Sequence, residues 1–221
     1  MTLKTNHPAQ QINNKTKMKY FLDTEFIENG STIDLISIGI VCEDGREYYA
    51  QNDKCDFKKG SDWVWRNVYP HLKHFDMSGV RKCQPKMRCN GDPFWADCYN
   101  SDCPWRNHYD IRDEVKKFMD VDKYGKPEIW GYYADYDWVA FAQLFGTMTN
   151  LPKGFPMYCR DIKQLCDSLG NPTLPKYPDA IHNALDDARW NKKAWEFLMV
   201  MDKQVVDAVF TPPQTNTPKD T

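Results

Sequence analysis

Met18-Lys19-Tyr20-Phe21-Leu22-Asp23-Thr24-Glu25-Phe26-Ile27-Glu28-Asn29-Gly30-Ser31-Thr32-Ile33-Asp34-Leu35-Ile36-Ser37-Ile38-Gly39-Ile40-Val41-Cys42 is the stretch whose reading decides the fold. Lys19–Leu22 is an apolar strand that runs into the carboxylates of Asp23 and Glu25. Asn29-Gly30 makes a turn, and Ile33–Cys42 is β-branched and apolar enough for a central strand. Asp44-Gly45 is a strong hairpin signal, after which Arg46–Gln51 returns as a third strand. The result is a three-strand antiparallel meander.

Downstream the period changes. Ser61 and Asp62 can cap a short helix carrying Trp63, Val64 and Val68. Asp110–Met119 places Ile111, Val115, Phe118 and Met119 at helical spacing. Pro127–Trp130 predicts a buried strand, Asp137–Phe145 a helix and Pro156–Cys159 a short strand. Asp161 caps a helix ending at Gly170, and Asn183–Val206 is the last and longest helix. The Pro-rich loop Asn171–Asp179 should lie beside it. A meander followed by alternating helices and strands predicts an α/β fold. Its mixed sheet joins the antiparallel meander to parallel strands and carries helices on both faces.

The chain has 221 residues, 41% of them hydrophobic and 27% charged, which suits one folded region rather than two. That region is expected over residues 18–210. A disordered polar arm, Met1–Lys17, precedes it, and a disordered tail, Thr211–Thr221, follows. A cysteine-rich insert interrupts it at about residues 73–108. A net charge of −2 argues against a protein that coats long nucleic acid nonspecifically. No apolar run reaches the roughly 18 residues of a membrane span, and the arm lacks the apolar core of a secretory signal. A cytoplasmic location is expected, where the eight cysteines serve as thiols or metal ligands rather than disulfides.

Asp23 and Glu25 stand two positions apart on a strand, so their side chains leave the same face. Two anions held together repel unless a cation neutralises them, and hard oxygen donors suit Mg²⁺ or Mn²⁺. Taken alone, an Asp-x-Glu pair reads as an ordinary solvated strand end. Asp137 opens a helix, where the helix dipole favours a carboxylate and simple capping would explain it. Asp135 could cap instead, leaving Asp137 to face inward. In His182-Asn183-Ala184-Leu185-Asp186-Asp187-Ala188, a helix starting near Asn183 puts His182 at its mouth and Asp187 one turn inside. A histidine there can act as a general base or merely pack. Asp186 points about 100° away from Asp187, so only one should serve a common site.

The order of these pieces resembles the DEDD superfamily of 3′–5′ exonucleases. The His182-x-Ala184-x-x-Asp187-Ala188 element resembles its DEDDh, or DnaQ-like, subgroup. Phe21–Ala50 is similar to the opening of the small bacterial exoribonucleases known as polyadenylate-specific 3′-exoribonuclease AS. The resemblance covers roughly Met18–Tyr69 and Asp110–Phe197. It implies an RNase H-like fold and a two-metal mechanism. Asp23, Glu25, Asp137 and Asp187 would hold two Mg²⁺ or Mn²⁺ ions, and His182 would take the proton from the attacking water. The implied substrate is the 3′ end of single-stranded RNA, the product a nucleoside monophosphate, and the oligomer a homodimer. The metal centre itself would cut DNA equally, since discrimination depends on contacts to the 2′-hydroxyl.

Cys83, Cys89, Cys98 and Cys103 form C-x5-C-x8-C-x4-C, a set that could bind structural Zn²⁺, with His108 as a substitute ligand. Free thiols in a loop are the alternative. A zinc-binding interaction protein on the same scaffold is the non-enzymatic reading, and the complete acidic set argues against it. Thr24, Glu25 and Phe26 are candidates to contact the terminal nucleotide. Tyr133 and Trp138 belong to an aromatic crowd around Asp137 that could stack on bases or fill the core.

Overall fold

The structure, a computed structural model, describes residues 17–73, 75, 86–87, 93–94, 103–177 and 182–210; residues 86–87, 93–94 and 204–210 are described by backbone alone. Strands β1 (Met18–Glu28), β2 (Ile33–Cys42) and β3 (Glu47–Asn52) form the meander. The chain continues through helix α1 (Asp62–Asn67), a small hairpin of β4 (Lys86–Met87) and β5 (Pro93–Phe94), and β6 (Trp105–Arg106). Helices α2 (His108–Phe118) and α3 (Val121–Tyr124), strand β7 (Pro127–Gly131) and helix α4 (Asp135–Gln143) come next. Strand β8 (Arg160–Asp161), α5 (Ile162–Ser168) and α6 (Ala184–Phe210) complete the order.

The main sheet runs β6-β3-β2-β1-β7-β8. β2 is antiparallel to both β1 and β3, whereas β7 joins β1 in parallel and β8 joins β7 in parallel. This is the mixed sheet, an antiparallel meander joined to parallel strands, expected from the sequence. Alternation along β1 builds both layers. Tyr20 and Leu22, with Ile38, Ile40 and Ile129, pack against Ile111, Val115 and Met119 from the α2 segment and Ala140 and Phe141 of α4. Phe21, Val41 and Trp130 face the other way, onto Ile162 and Cys166 of α5 and Ala188, Ala194 and Leu198 of α6. Each large apolar side chain removed from water here contributes about 1.5–3 kcal/mol. Among the described residues no helix is long and apolar enough to cross a membrane.

Several boundaries move. α2 begins at His108 because the Asn107 side chain accepts from the amides of Tyr109 and Asp110. His108 therefore belongs to this helix rather than to the insert. The insert also returns to the main sheet: Trp105 and Arg106 pair in parallel with Gln51 and Asn52, and Trp105 is 2% exposed. The short strand expected at Pro156–Cys159 lies instead at Arg160–Asp161, where pairing with Trp130 and Gly131 fixes it. Met157 and Tyr158 are left exposed. The arm, apart from Lys17, and the tail lie outside the described residues.

Candidate active site

Asp23 and Glu25 occupy the carboxyl end of β1, on the face that carries Phe21 and meets α6. A register shift between Glu25 and Phe26 leaves Ile36 of β2 as the extra residue, since Ser37 opposes Glu25 and Leu35 opposes Phe26. Such a bulge raises local twist and re-aims the side chains beyond it. Phe26 then meets the ring of Tyr136 at 5.7 Å.

The amino end of α6 comes down on the same spot. Gly39, paired with Asp23, lies directly beneath it: a Cβ there would sit 2.2 Å from the Ala184 carbonyl oxygen and 2.4 Å from the Leu185 nitrogen. Only glycine permits this approach. Asn183 supports the helix start, its side chain accepting from the Leu185 and Asp186 amides at 3.1 and 3.4 Å. The Asp187 amide donates to the Asn183 carbonyl at 3.0 Å. Deeper in the helix, the Asn191 side chain donates to the Leu22 carbonyl at 2.9 Å and pins α6 to β1. Asp187 thus faces β1, whereas Asp186 turns outward to Arg189, which also grips Glu47.

Asp137 arrives from the opposite layer. Ala134 precedes α4 without a side-chain cap, so neither Asp135 nor Asp137 serves as the cap. The Ala134 amide is met instead by Asp161 Oδ2, while Asp161 Oδ1 caps α5 through the Gln164 amide, both at 2.9 Å. Asp137 Oδ1 accepts from the Thr24 amide at 2.7 Å and the Thr24 hydroxyl at 2.6 Å. Thr24 is buried, and both of its donors go to this one oxygen.

The electrostatics are those of uncompensated anions. Burial, then the neighbouring Asp137, Glu25 and Asp187, holds Asp23 protonated well above the usual carboxylate range. Burial and the same acidic neighbours, Asp187 and Asp137, do so for Glu25. Burial pushes Asp137 up to about 6 against the opposing Thr24 hydrogen bonds, and pushes Asp187 up to about 6 against the Tyr177 hydrogen bond. Cations placed among these oxygens would remove that cost. Glu25, His182 and Asp187 each offer a ligand atom, and these atoms lie within 4.8 Å of one another. Burial and His71 lower His182 below an ordinary histidine. Its ring meets Trp63 edge-on at 4.8 Å.

The aromatic candidates separate. Tyr133 is 64% exposed and adopts φ +53°, a left-handed conformation unusual for a side chain of its size. Trp138 stacks on Phe141 at 5.5 Å and packs against the core. Cys83, Cys89 and Cys98 lie outside the described residues. Cys103 is buried in a cluster with Cys55, Tyr69 and Trp105.

Sequence reading missed Gly39, Trp63, Asn183, Asn191 and Tyr177 as parts of the site. Tyr177 lies in the Pro-rich loop, donates its hydroxyl to Asp187 Oδ1 and packs on Trp190 at 4.8 Å. The placement of that loop beside the final helix was the available signal.

Comparison with known proteins bears on the same residues. Two proteins of Mycobacterium tuberculosis are each 38% identical over 172 residues, covering 78% of this chain and 88% of their own length. They are the 3′-5′ exoribonuclease Rv2179c of strain ATCC 25618 / H37Rv and the 3′-5′ exoribonuclease MT2234.1 of strain CDC 1551 / Oshkosh. The Neurospora crassa Pan2 catalytic unit (protease and nuclease domain) aligns with 93% of this chain and 31% of its own, at 13% identity and a TM-score of 0.34. Residues 18–199 match the model of the 3′-5′ exoribonuclease Rv2179c-like domain, a span that includes all four converging carboxylates and His182, and the chain belongs to that exoribonuclease family.

Proposed function

We propose that this protein is a metal-dependent 3′–5′ exoribonuclease that removes nucleoside 5′-monophosphates from single-stranded RNA 3′ ends. The observation that carries the reading is the convergence of Asp23, Glu25, Asp137 and Asp187 from three separate elements beside His182. The family membership and the 38% identical exoribonucleases support the reaction class.

The donor set fits hard divalent cations. It consists of carboxylate oxygens, held too far from water and too near one another to stay ionised alone. Asp23, Glu25, Asp137 and Asp187 would hold two Mg²⁺ or Mn²⁺ ions. When bound, such ions supply Lewis-acid stabilisation of the charge that develops on the phosphoryl group and the departing 3′-oxygen. The protein's own residues do the rest. Thr24 fixes the Asp137 carboxylate with two donors. His182, kept neutral by its lowered pKa, accepts the proton of the attacking water. The water oxygen joins phosphorus, the bond from phosphorus to the 3′-oxygen breaks, and that oxygen leaves with a proton drawn from solvent. Glu25 reaches both the cation site and the terminal nucleotide. Phe26 and the exposed Tyr133 offer stacking surfaces to its base and to the neighbouring one, at about 1–3 kcal/mol per base.

The test uses RNA and DNA oligonucleotides labelled at either end, with Mn²⁺ or EDTA, alongside Asp23→Ala. The expected result is a Mn²⁺-dependent ladder shortening from the 3′ end of RNA, absent with EDTA and in the variant. Equal degradation by wild type and variant, or indifference to EDTA, sinks the proposal. Preferential loss of DNA would move the substrate from RNA to DNA.

A further inference from the structure

We propose that Tyr177 is a positioning residue whose hydroxyl anchors the Asp187 carboxylate and thereby sets the affinity of the acidic centre for its cations. The inference rests on the metal-centre reading above.

Tyr177 lies ten residues before Asp187 and outside α6, yet its hydroxyl donates to Asp187 Oδ1. That leaves Oδ2 as the oxygen open to a cation. A carboxylate that serves a hard cation gains little if it is free to rotate, because its rotational entropy must be lost on binding. A donor on the second oxygen removes that freedom in advance. Partners of this kind behind metal ligands typically change metal affinity or activity about 10–100-fold.

The hydroxyl is itself well held. The Tyr177 ring meets Trp190 edge-on at 4.8 Å, and the Trp190 indole donates to the Pro175 carbonyl at 3.1 Å. Trp190 is 6% exposed and stands one helical turn after Asp187 on α6. Pro172 and Pro175 stiffen the approach to Tyr177 by fixing φ. One face of α6 therefore carries both the carboxylate and the ring that holds its partner. Tyr177 itself is 38% exposed.

The test is Mn²⁺ binding by isothermal titration calorimetry on the full chain, without substrate. Four proteins are compared: wild type, Tyr177→Phe, Asp187→Asn and the double variant. Tyr177→Phe keeps the ring on Trp190, and its melting curve in EDTA reports that it is folded. The expected result is a Mn²⁺ affinity about 10–100-fold weaker, with RNA hydrolysis recovering most of its kcat at saturating Mn²⁺ and KM for RNA unchanged. In the Asp187→Asn background the same change should cost nothing further, because the hydroxyl acts through that carboxylate. Wild-type affinity in Tyr177→Phe, or an additive loss in the double variant, overturns the proposal. Wild-type affinity in Asp187→Asn would instead overturn the metal-centre reading.

Discussion

Thr24 and Asp137 meet through a single oxygen: the amide and the hydroxyl of Thr24 both donate to Asp137 Oδ1, at 2.7 and 2.6 Å. The two residues stand 113 positions apart in sequence, on β1 and α4, so this contact sets where α4 delivers its carboxylate. Thr24→Val keeps the shape and the amide but removes the hydroxyl. It should lower kcat about 10–100-fold with little change in KM for RNA. Thr24→Ser should restore most of the loss. Steady-state kinetics at saturating Mn²⁺ would read this, and unchanged kcat in the valine variant would refute it.

Gly39 makes a second prediction. A methyl group there meets the backbone of Ala184 and Leu185, which cannot rotate away. Gly39→Ala must lift the start of α6 from the sheet and move Asp187 with it. Overpacking of this kind costs about 1–3 kcal/mol. At about 2–4 °C per kcal/mol for a chain of this size, Tm should fall by several degrees. Activity should fall further than stability alone explains, measured at a temperature where the variant stays folded.

The metal-free protein should lose stability as pH rises. Asp137 and Asp187 titrate near 6 in the fold, above their ordinary values. Between about pH 4 and 6 the unfolded chain ionises these carboxyls while the folded chain retains their protons, so the unfolded state gains as pH increases. The scale is on the order of 2–3 kcal/mol per carboxyl. In EDTA, Tm should therefore drop between pH 5 and pH 7. The stabilisation produced by Mn²⁺ should grow across the same interval. A Tm in EDTA that rises with pH would contradict the electrostatic account of the site.

His182→Ala should reduce kcat about 10²–10⁴-fold, the usual contribution of a positioned general base. Because burial and His71 lower the histidine pKa, the acid limb of the wild-type rate at saturating Mn²⁺ should lie below the pH of an ordinary histidine. Trp63→Ala, which removes the ring beside His182, should shift that limb upward as water reaches the imidazole. A wild-type limb at or above the ordinary histidine range would argue against this role.

The meander and the common face of Asp23 and Glu25 were legible because both follow from local period and turn chemistry. The helix starts were legible to within a few residues: Asp161 announces itself as a cap, whereas the Asn107 cap went unread and α2 starts two residues before the expected Asp110. Contacts between distant segments were not. Nothing local marks Gly39 as the seat of α6, and nothing local joins Tyr177 to Asp187 across the helix start. That Thr24 would hold Asp137 was not legible, because strand alternation alone does not say which layer stands opposite. The strand expected at Pro156–Cys159 failed for a similar reason: apolar composition suggested it, whereas pairing with β7 placed it at Arg160–Asp161. The cysteine-rich segment reads as an insert, and its lack of period gave no sign that Trp105 would be buried.

Asp161 is a single carboxylate shared by the starts of two helices, α4 through Ala134 and α5 through Gln164. Removing that side chain would release both amides together. The amino-terminal turns of α4 and α5 should therefore exchange their amide hydrogens as one cooperative unit. The turn of α4 that carries Asp137 is thereby tied to β8, the outermost strand of the sheet.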